Sequence, residues 1–435
     1  MTRFRIAKLG LVLTAALWIG LPGAAARAAE PALRGPLTED DCVRVALENS
    51  DQLAQARSGL ISQKGRLLSS YSGLLPQIRG GASWSRDFAD YADATTYGGS
   101  LGLSVSQSIF DLGAIYDLRQ QRQQSAAAKA DVATSEREIA LAVRQQFFIC
   151  VAAIRLAEVE AHASQLARDQ LHRSETLFQL GSVARSDVLQ AQVNVADAEQ
   201  TATQRRNAVP LEIGRLALEM GLDPRTGVTV DTSIVAPAED PTAELDDYVR
   251  GALSRRPDLV AARARLRAAE ISESAARLSR LPTVGAQGGW SRRANNASDA
   301  KLQNASYSNS WNAGVSASLT LFNGLATEGA IQSAHGGRLA EEQSLRLREK
   351  NVTLEVQDAF LGIFNAREVL RAAVTGVSLA QENLRLQQAL YESGAGTLLE
   401  WDNARLDRRR AQVSQIQAEL DLRSAQARFH KAIGE

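Results

Sequence analysis

The chain is written twice, and nothing else in the sequence limits its fold as much. DCVRVALENSDQLAQAR (41–57) lies over DYVRGALSRRPDLVAAR (247–263) without a gap, with eight of seventeen positions identical. At the same offset Pro76 meets Pro282, Trp84 meets Trp290 and Arg86 meets Arg292. Further on, SIFDLG (108–113) matches TLFNG (320–324), and LFQLGSVARSDVLQAQ (177–192) matches LYESGAGTLLEWDNAR (390–405). MGLDP (220–224) matches the terminal AIGE (432–435). A sequence repeated at this scale implies one structural unit built twice. The expected organisation is a first repeat over 29–230, a linker over 231–244 containing DTSIVAPAEDPTAE, and a second repeat over 245–435.

Within each repeat the order of patterns is the same. A helix with a Thr-x-x-Asp start (Thr38, Asp41) is expected to run toward residue 73, a capping box with Asp in place of Glu. A strand pair follows, about 77–111 and again about 283–322. LGLSVSQSIF places Leu101, Leu103, Val105 and Ile109 on one face and Ser104, Ser106 and Ser108 on the other. WNAGVSASLTLF alternates in the same way. This period of two fits either a half-buried soluble hairpin or a barrel strand with lipid on one side and water on the other. Pro76 and Pro282 stand where helix gives way to strand. Proline disfavours helix in the residue before it and removes a donor, which suits such a junction. Trp84 is a plausible interfacial anchor.

Long proline-free helical tracts come next, about 113–178 and 325–392, each on the order of 100 Å at 1.5 Å per residue. Each ends in a glycine turn, at Gly181 and Gly394, and returns as a second helix to about 220 and 432. Leu399, Leu406, Val413 and Leu420 step by seven along the last helix, the mark of coiled-coil packing. Arg405, Asp407, Arg408, Arg409 and Arg410 on its other faces read mostly as a solvated surface. An aromatic content of 5% suits walls of coiled coil better than a thick globular core.

The first 28 residues have the layout of a secretory signal peptide. Arg3, Arg5 and Lys8 precede an apolar run from Leu9 to Leu21, and Ala26-Arg27-Ala28 is the expected cleavage site. The whole chain has 49 basic and 49 acidic residues; removal of Arg3, Arg5, Lys8 and Arg27 leaves 45 and 49, a net −4. That balance offers nothing to nucleic acid. After the signal no apolar segment approaches membrane-spanning length, so a bilayer would have to be crossed by strands. The two cysteines, Cys42 and Cys150, are read as independent, partly buried thiols. The four histidines lack metal-ligand spacing, and there is no nucleophile elbow or phosphate loop. No enzyme activity, cofactor or metal is expected.

Four strands cannot close a barrel, and an open edge in lipid leaves backbone groups unpaired at several kcal/mol each. If the strands span a membrane, the protein must be oligomeric: two copies give a small plugged barrel, three give twelve strands with room for water.

LTEDDCVRVALENS, LLPQI, QSIFD, LFQLGSVARSDVLQAQ, LTLFNG and LYESGAGTLLEWDNA together resemble the TolC family of outer-membrane efflux proteins. The resemblance runs through the mature chain, in order, in both repeats. It implies a mixed α/β membrane protein: a homotrimer with a twelve-stranded antiparallel barrel, four strands per chain, continued by an α-helical coiled-coil barrel through the periplasm. It implies a passive exit duct in the outer membrane of a Gram-negative bacterium, in contact with outer-membrane lipid. The duct would serve a tripartite efflux or type I secretion system. It would dock with a periplasmic adaptor, or membrane fusion protein, and an inner-membrane transporter of the RND, ABC or MFS class.

The resemblance also places a gate at the periplasmic tip, at the two hairpins whose turns, at Gly181 and Gly394, would meet the adaptor. Carried over by residue, the linking aspartate is Asp187, the tyrosine is Tyr391 and the first ring acid is Glu400. The family's arginine falls on Gly396 and its second ring acid on Asn403, with Asp402 one step away. Arg185, in the other turn, is the candidate substitute cation. Asp187 and Glu400 equally suit the first turn of a helix, where acids are favoured. The rival reading of the whole chain is a soluble periplasmic coiled-coil adaptor or scaffold, which explains the helices but not the strand pairs.

Overall fold

A computed structural model of one protomer describes residues 35–88, 95–233, 243–297, 302 and 305–434. The expected signal peptide, most of the linker and the tips of both strand connections lie outside the described residues.

The elements run in one order, twice. The first repeat has α1 (Glu39–Asn49), α2 (Asp51–Ser70), β1 (Gln77–Phe88), β2 (Thr95–Phe110), α3 (Leu112–Gln179) and α4 (Arg185–Glu219). The second has α5 (Leu245–Arg255), α6 (Pro257–Leu278), β3 (Thr283–Ala297), β4 (Ser306–Ser318), α7 (Ala326–Glu392) and α8 (Leu398–Ile433). With 68 and 67 residues, α3 and α7 each extend about 100 Å.

Thr38 and Asp41 form the capping box that starts α1, each side chain bonding the other's backbone. The helix does not reach residue 73 unbroken. Ser50 is extended (φ −61, ψ 123), and its hydroxyl accepts from the Leu53 amide to start α2. The repeat-equivalent Arg256 is extended in the same way (φ −63, ψ 128), ahead of Pro257 at the first position of α6. Each break is filled from the far end of its own repeat. Gly221, φ +74, lies against the Asn49–Ser50 backbone, and Gly434, φ +87, lies against Arg256. The hairpin of each repeat is thereby closed onto its first helix.

Two apolar cores sit partway along the long helices. One joins α1, α2, α3 and the end of α4 through Cys42, Leu53, Val143, Phe147, Val151, Leu216 and Met220. The other joins α5, α6, α7 and α8 through Ala252, Leu259, Val352, Val356, Ile363 and Phe429. Burying a side chain such as Phe147, 2% exposed, is worth about 3–5 kcal/mol against alanine. Between them, Ala127 and Ala130 of α3 meet Ala261 and Ala264 of α6, small residues that let two helices approach closely. α3 also carries an 18-residue window apolar enough to cross a membrane by composition, contrary to the expectation that no such segment follows the signal. Its apolar residues Ile139, Val143, Phe147 and Val151 are instead buried in the first core, so the window reflects helix packing.

The four strands form one antiparallel sheet in the order β1-β2-β3-β4. Directly paired residues share a face, so the register assigns both faces. Ile78↔Val105, Gly80↔Leu103 and Ala82↔Leu101 continue through Leu103↔Trp290 to Trp290↔Trp311 and Ala286↔Val315. That face is apolar and aromatic. Ser83↔Ser100, Ser104↔Gly289 and Ser291↔Ser310 lie on the other, which is serine, glycine and asparagine with Arg79 and Arg293. Ser83 bonds Ser100 at 2.8 Å and Ser291 bonds Ser310 at 3.0 Å, so the polar face is stitched across strands. Pro76 immediately precedes β1 and Pro282 immediately precedes β3. Nothing lies within 4 Å of a Cβ built on Gly80 or Gly81, so packing within the protomer does not require glycine there.

Candidate functional site at the helical tips

The helical hairpins turn at the ends farthest from the sheet. Gly181 (φ +74) and Gly394 (φ +76) take the left-handed conformation that only glycine adopts readily. Gly181 N–H donates to Phe178 O at 2.9 Å and Ser182 N–H to Leu177 O at 2.9 Å. Gly394 N–H donates to Tyr391 O at 3.0 Å and Ala395 N–H to Leu390 O at 2.9 Å. Both turns are Schellman motifs, which satisfy the last carbonyls of α3 and α7.

The two returning helices start differently. Thr397 and Glu400 form a capping box: Thr397 N–H and Oγ1 donate to Glu400 Oε2 at 2.9 and 2.8 Å, and Glu400 N–H donates to Thr397 Oγ1 at 3.3 Å. The backbone bond from Thr397, then its hydroxyl bond, holds the Glu400 carboxyl below its ordinary value. α4 starts at Ala184 with no side-chain cap, which leaves the equivalent acid, Asp187, to a single bond from Ser186 Oγ at 3.3 Å.

Tyr391, at the end of α7, stacks on Trp401 of α8 with ring centroids 5.2 Å apart and planes 15° from parallel. The Arg405 guanidinium lies 5.4 Å from the Trp401 ring centroid and 3.3 Å from Asp402 Oδ1. Asn194 Nδ2 of α4 donates to Asp402 Oδ2 at 3.0 Å, which ties the two hairpins together. Burial raises the Tyr391 phenol above its ordinary value, and Asp187 and then Asp402 add to the rise. Burial pulls the Arg405 guanidinium down, opposed by Asp402. The structure therefore gathers Asp187, Tyr391 and Asp402. It leaves Asn403 and Arg185 exposed, and it turns Glu400 back on Thr397.

A Cβ on Gly396 would lie 3.1 Å from Leu390 Cβ, so any side chain at this turn needs Leu390 to shift by a few tenths of an ångström. The cation at the tip is Arg405, which the sequence reading assigned to a solvated face. Its side chain is only 21% exposed. Trp401 and Asn194 were missed as well. The signal was present: Arg405 stands four residues after Trp401 and three after Asp402, which puts it within reach of both on one helix. Among the described residues no cluster of His, Cys, Asp and Glu could hold a metal.

A four-stranded antiparallel sheet, polar on one face and apolar on the other, carried on hairpins of about 100 Å, defines the protomer of an outer-membrane duct. The chain belongs to the outer membrane efflux protein family, whose sequence profile matches residues 42–221 and 249–435, once per repeat. It is similar to the outer membrane protein TolC of Vibrio cholerae, 24% identical over 356 residues that cover 82% of this chain and 81% of that protein. It is also similar to protein CyaE of Bordetella pertussis, 26% identical over 337 residues, 77% of this chain and 70% of that one. The fold matches solved structures of CusC, with a TM-score of 0.79 at 20% identity over 91% of this chain and 92% of that one. It matches the Campylobacter jejuni CmeC outer membrane channel with a TM-score of 0.80 at 17% identity, over 91% and 85%. The protein is an outer-membrane efflux channel and not an enzyme. Members of the family work with a periplasmic adaptor and an inner-membrane pump. Membership sets aside the soluble-adaptor reading.

Proposed function

We propose that three copies of this chain close a twelve-stranded barrel in the outer membrane and continue it as an α-helical tunnel through the periplasm. The observation that carries this reading is the sheet's pair of unpaired edges, β1 and β4. In lipid such edges must be paired, and β1 of one chain against β4 of the next pairs every one. Leu347, Leu354 and Leu361, exposed on α7 at steps of seven, give the helical part a matching apolar seam for a neighbouring copy.

The tips close the tunnel and receive the adaptor at the Gly181 and Gly394 turns. In the closed state the two hairpins of each chain are held by the Asn194–Asp402 bond and by the Tyr391–Trp401 stack with Arg405. Asp187 and Tyr391 form the contact that separates on opening, and Glu400, Asp402 and Asn403 face cargo entering the duct. The partner pump is of the RND, ABC or MFS class, with which the duct shares its adaptor.

Planar-bilayer recording tests the gate. The wild-type protein should show small, steady conductance, and Asp187→Asn combined with Tyr391→Phe should enlarge it. Unchanged single-channel records would reject the tip as the gate.

A further inference from the structure

β2 and β4 are the same strand in the two repeats, and they end differently. Aligning SIFDLG (108–113) with TLFNG (320–324) sets Phe110 against Phe322, and Ser104, Ser106 and Ser108 then meet Ser316, Ser318 and Thr320. β2 runs to Phe110, but β4 stops at Ser318 instead of continuing to Phe322. The end of β2 lies beyond β1, whose pairing with it finishes at Gln77↔Ser106. It is held by β3 alone, through Gln107↔Ala286, Ser108↔Gly285 and Phe110↔Val284. Among the described residues, 319–322 have no such strand beside them, because the pairing of β3 with β4 finishes at Thr283↔Ser318 and the far edge of β4 is open. Phe322 is 79% exposed against 42% for Phe110, and Leu321 89% against 62% for Ile109.

The helices below show the same mismatch. α2 packs on α3, α3 on α6 and α6 on α7, the order of the strands to which they connect, so α2 and α7 are the outer helices as β1 and β4 are the outer strands. Ile139, Val143 and Cys150 of α3 correspond to Val352, Val356 and Ile363 of α7, all buried, which fixes the alignment of the two long helices. Ala127 and Ala130 of α3 are buried against Ala261 and Ala264 of α6. Their counterparts, Ala340 and Gln343 on α7 and Gln55 and Ser58 on α2, are exposed.

From these differences we infer that the β4–α7 edge is an interface for the β1–α2 edge of a second copy, in the register that β2 and β3 already hold within one chain. The inference rests on the barrel reading above and adds the residue pairing between chains. The duplication turns Ser104↔Gly289 into Ser316 opposite Ser83 of the next chain, and Leu103↔Trp290 into Val315 opposite Trp84. Val315 and Trp84 both lie on the apolar face, and Ser316 and Ser83 on the polar one, whereas a slip of one residue would cross the faces. Gln107↔Ala286 becomes Leu319 opposite Gly80, and Phe110↔Val284 becomes Phe322 opposite Ile78. The open space beside Gly80 is thus where Leu319 of the next chain lies. Residues 319–322 become strand when that chain arrives. The helical part of the seam is the weaker part. Arg265 and Asp131, ion-paired at 2.5 Å between α6 and α3, have Gly59 and Ser344 as counterparts, so the strands set the register between chains.

Cysteine cross-linking of the assembled, full-length protein under mild oxidation tests the register. Ser316→Cys with Ser83→Cys should give covalent trimers on denaturing gels, because directly opposed β-carbons lie within reach of a disulfide. Ser316→Cys with Ser85→Cys, or with Gly81→Cys, slips the pair by two residues. The thiols then stand about 7 Å apart along the strand, and the gel should show monomer only. Wild-type protein, with Cys42 and Cys150 both buried, should also run as monomer. Hydrogen exchange on the wild type is the second measurement: residues 319–322 should be protected in the assembled protein as strongly as 107–110. A trimer in which the matched pair fails to cross-link, in which a slipped pair cross-links instead, or in which 319–322 exchange far faster than 107–110 would overturn the inference and leave the barrel reading standing. A wild-type protein that does not form trimers by native mass spectrometry would overturn the barrel reading and the inference with it.

Discussion

Gly221 and Gly181 share a backbone φ of +74 and differ in what surrounds them. Alanine at either must adopt the left-handed region, at a cost of about 1–2 kcal/mol. At Gly181 nothing lies within 4 Å of the added Cβ, so the cost ends there. At Gly221 the Cβ would stand 2.4 Å from Asn49 O, 2.7 Å from Asn49 C and 3.0 Å from Ser50 Cα. All three are backbone atoms at the break between α1 and α2, so no rotamer change relieves the overlap. Overpacking of this kind adds about 1–3 kcal/mol. Gly221→Ala should therefore be the more destabilising by about 1–3 kcal/mol. Urea unfolding in detergent, followed by far-ultraviolet circular dichroism, reads the gap as a difference in midpoints. A second readout is local. Cys42, fully buried on α1 in the core that Met220 also fills, should gain reactivity toward maleimide in Gly221→Ala and not in Gly181→Ala. Equal midpoints for the two variants, with Cys42 silent in both, would refute the claim that the end of the first repeat locks its own beginning.

Arg256→Ala should destabilise the second repeat by about 3–5 kcal/mol, because it strips a buried guanidinium from Asp258 (3.0 Å), Glu355 (2.8 Å) and Ala432 O (3.0 Å); thermal unfolding checks it. Glu400 has a folded value depressed below its ordinary 4.5, so its capping contribution is complete above that pH and is lost as the pH falls through the folded value. Proteolysis at the α7–α8 tip should accelerate on that acid limb, and Thr397→Ala should remove the pH dependence. Arg405→Ala should leave Asp402 unneutralised and raise cation preference in bilayer recordings, whereas Arg410→Ala, at an exposed site, should not. Burial pushes both the Cys42 and Cys150 thiols up to about 12, so the native protein at pH 8 should resist thiol reagents that label it in denaturant.

Much of this architecture is written in local pattern. The period-two faces of 101–109 and 311–317, the proline-free tracts and the glycine turns each depend on neighbours a few residues away, so a single sequence displays them; the strand ends at Ser318, short of the expected 322. The break at Ser50 was hidden because both flanking helices share one apolar face, and only contact with Gly221, far along the chain, explains it. Pro257 did announce the equivalent break at Arg256. At the tip, the glycines and Glu400 stood out by turn and capping chemistry, but Arg405 looked like one more charge in a basic run. Its burial comes from the tertiary packing of α8, which lies mainly against α7 and α3, and periodicity does not reveal that. The Cys42 and Cys150 thiols are both free and share one core, a proximity between α1 and α3 that their separation in sequence conceals.

The central claim is that one chain supplies a third of a closed barrel. Native mass spectrometry of the detergent-extracted outer-membrane protein tests it most directly. The account predicts a complex of three signal-cleaved chains that conducts when placed in a bilayer. A monomer or dimer that conducts as well would contradict it.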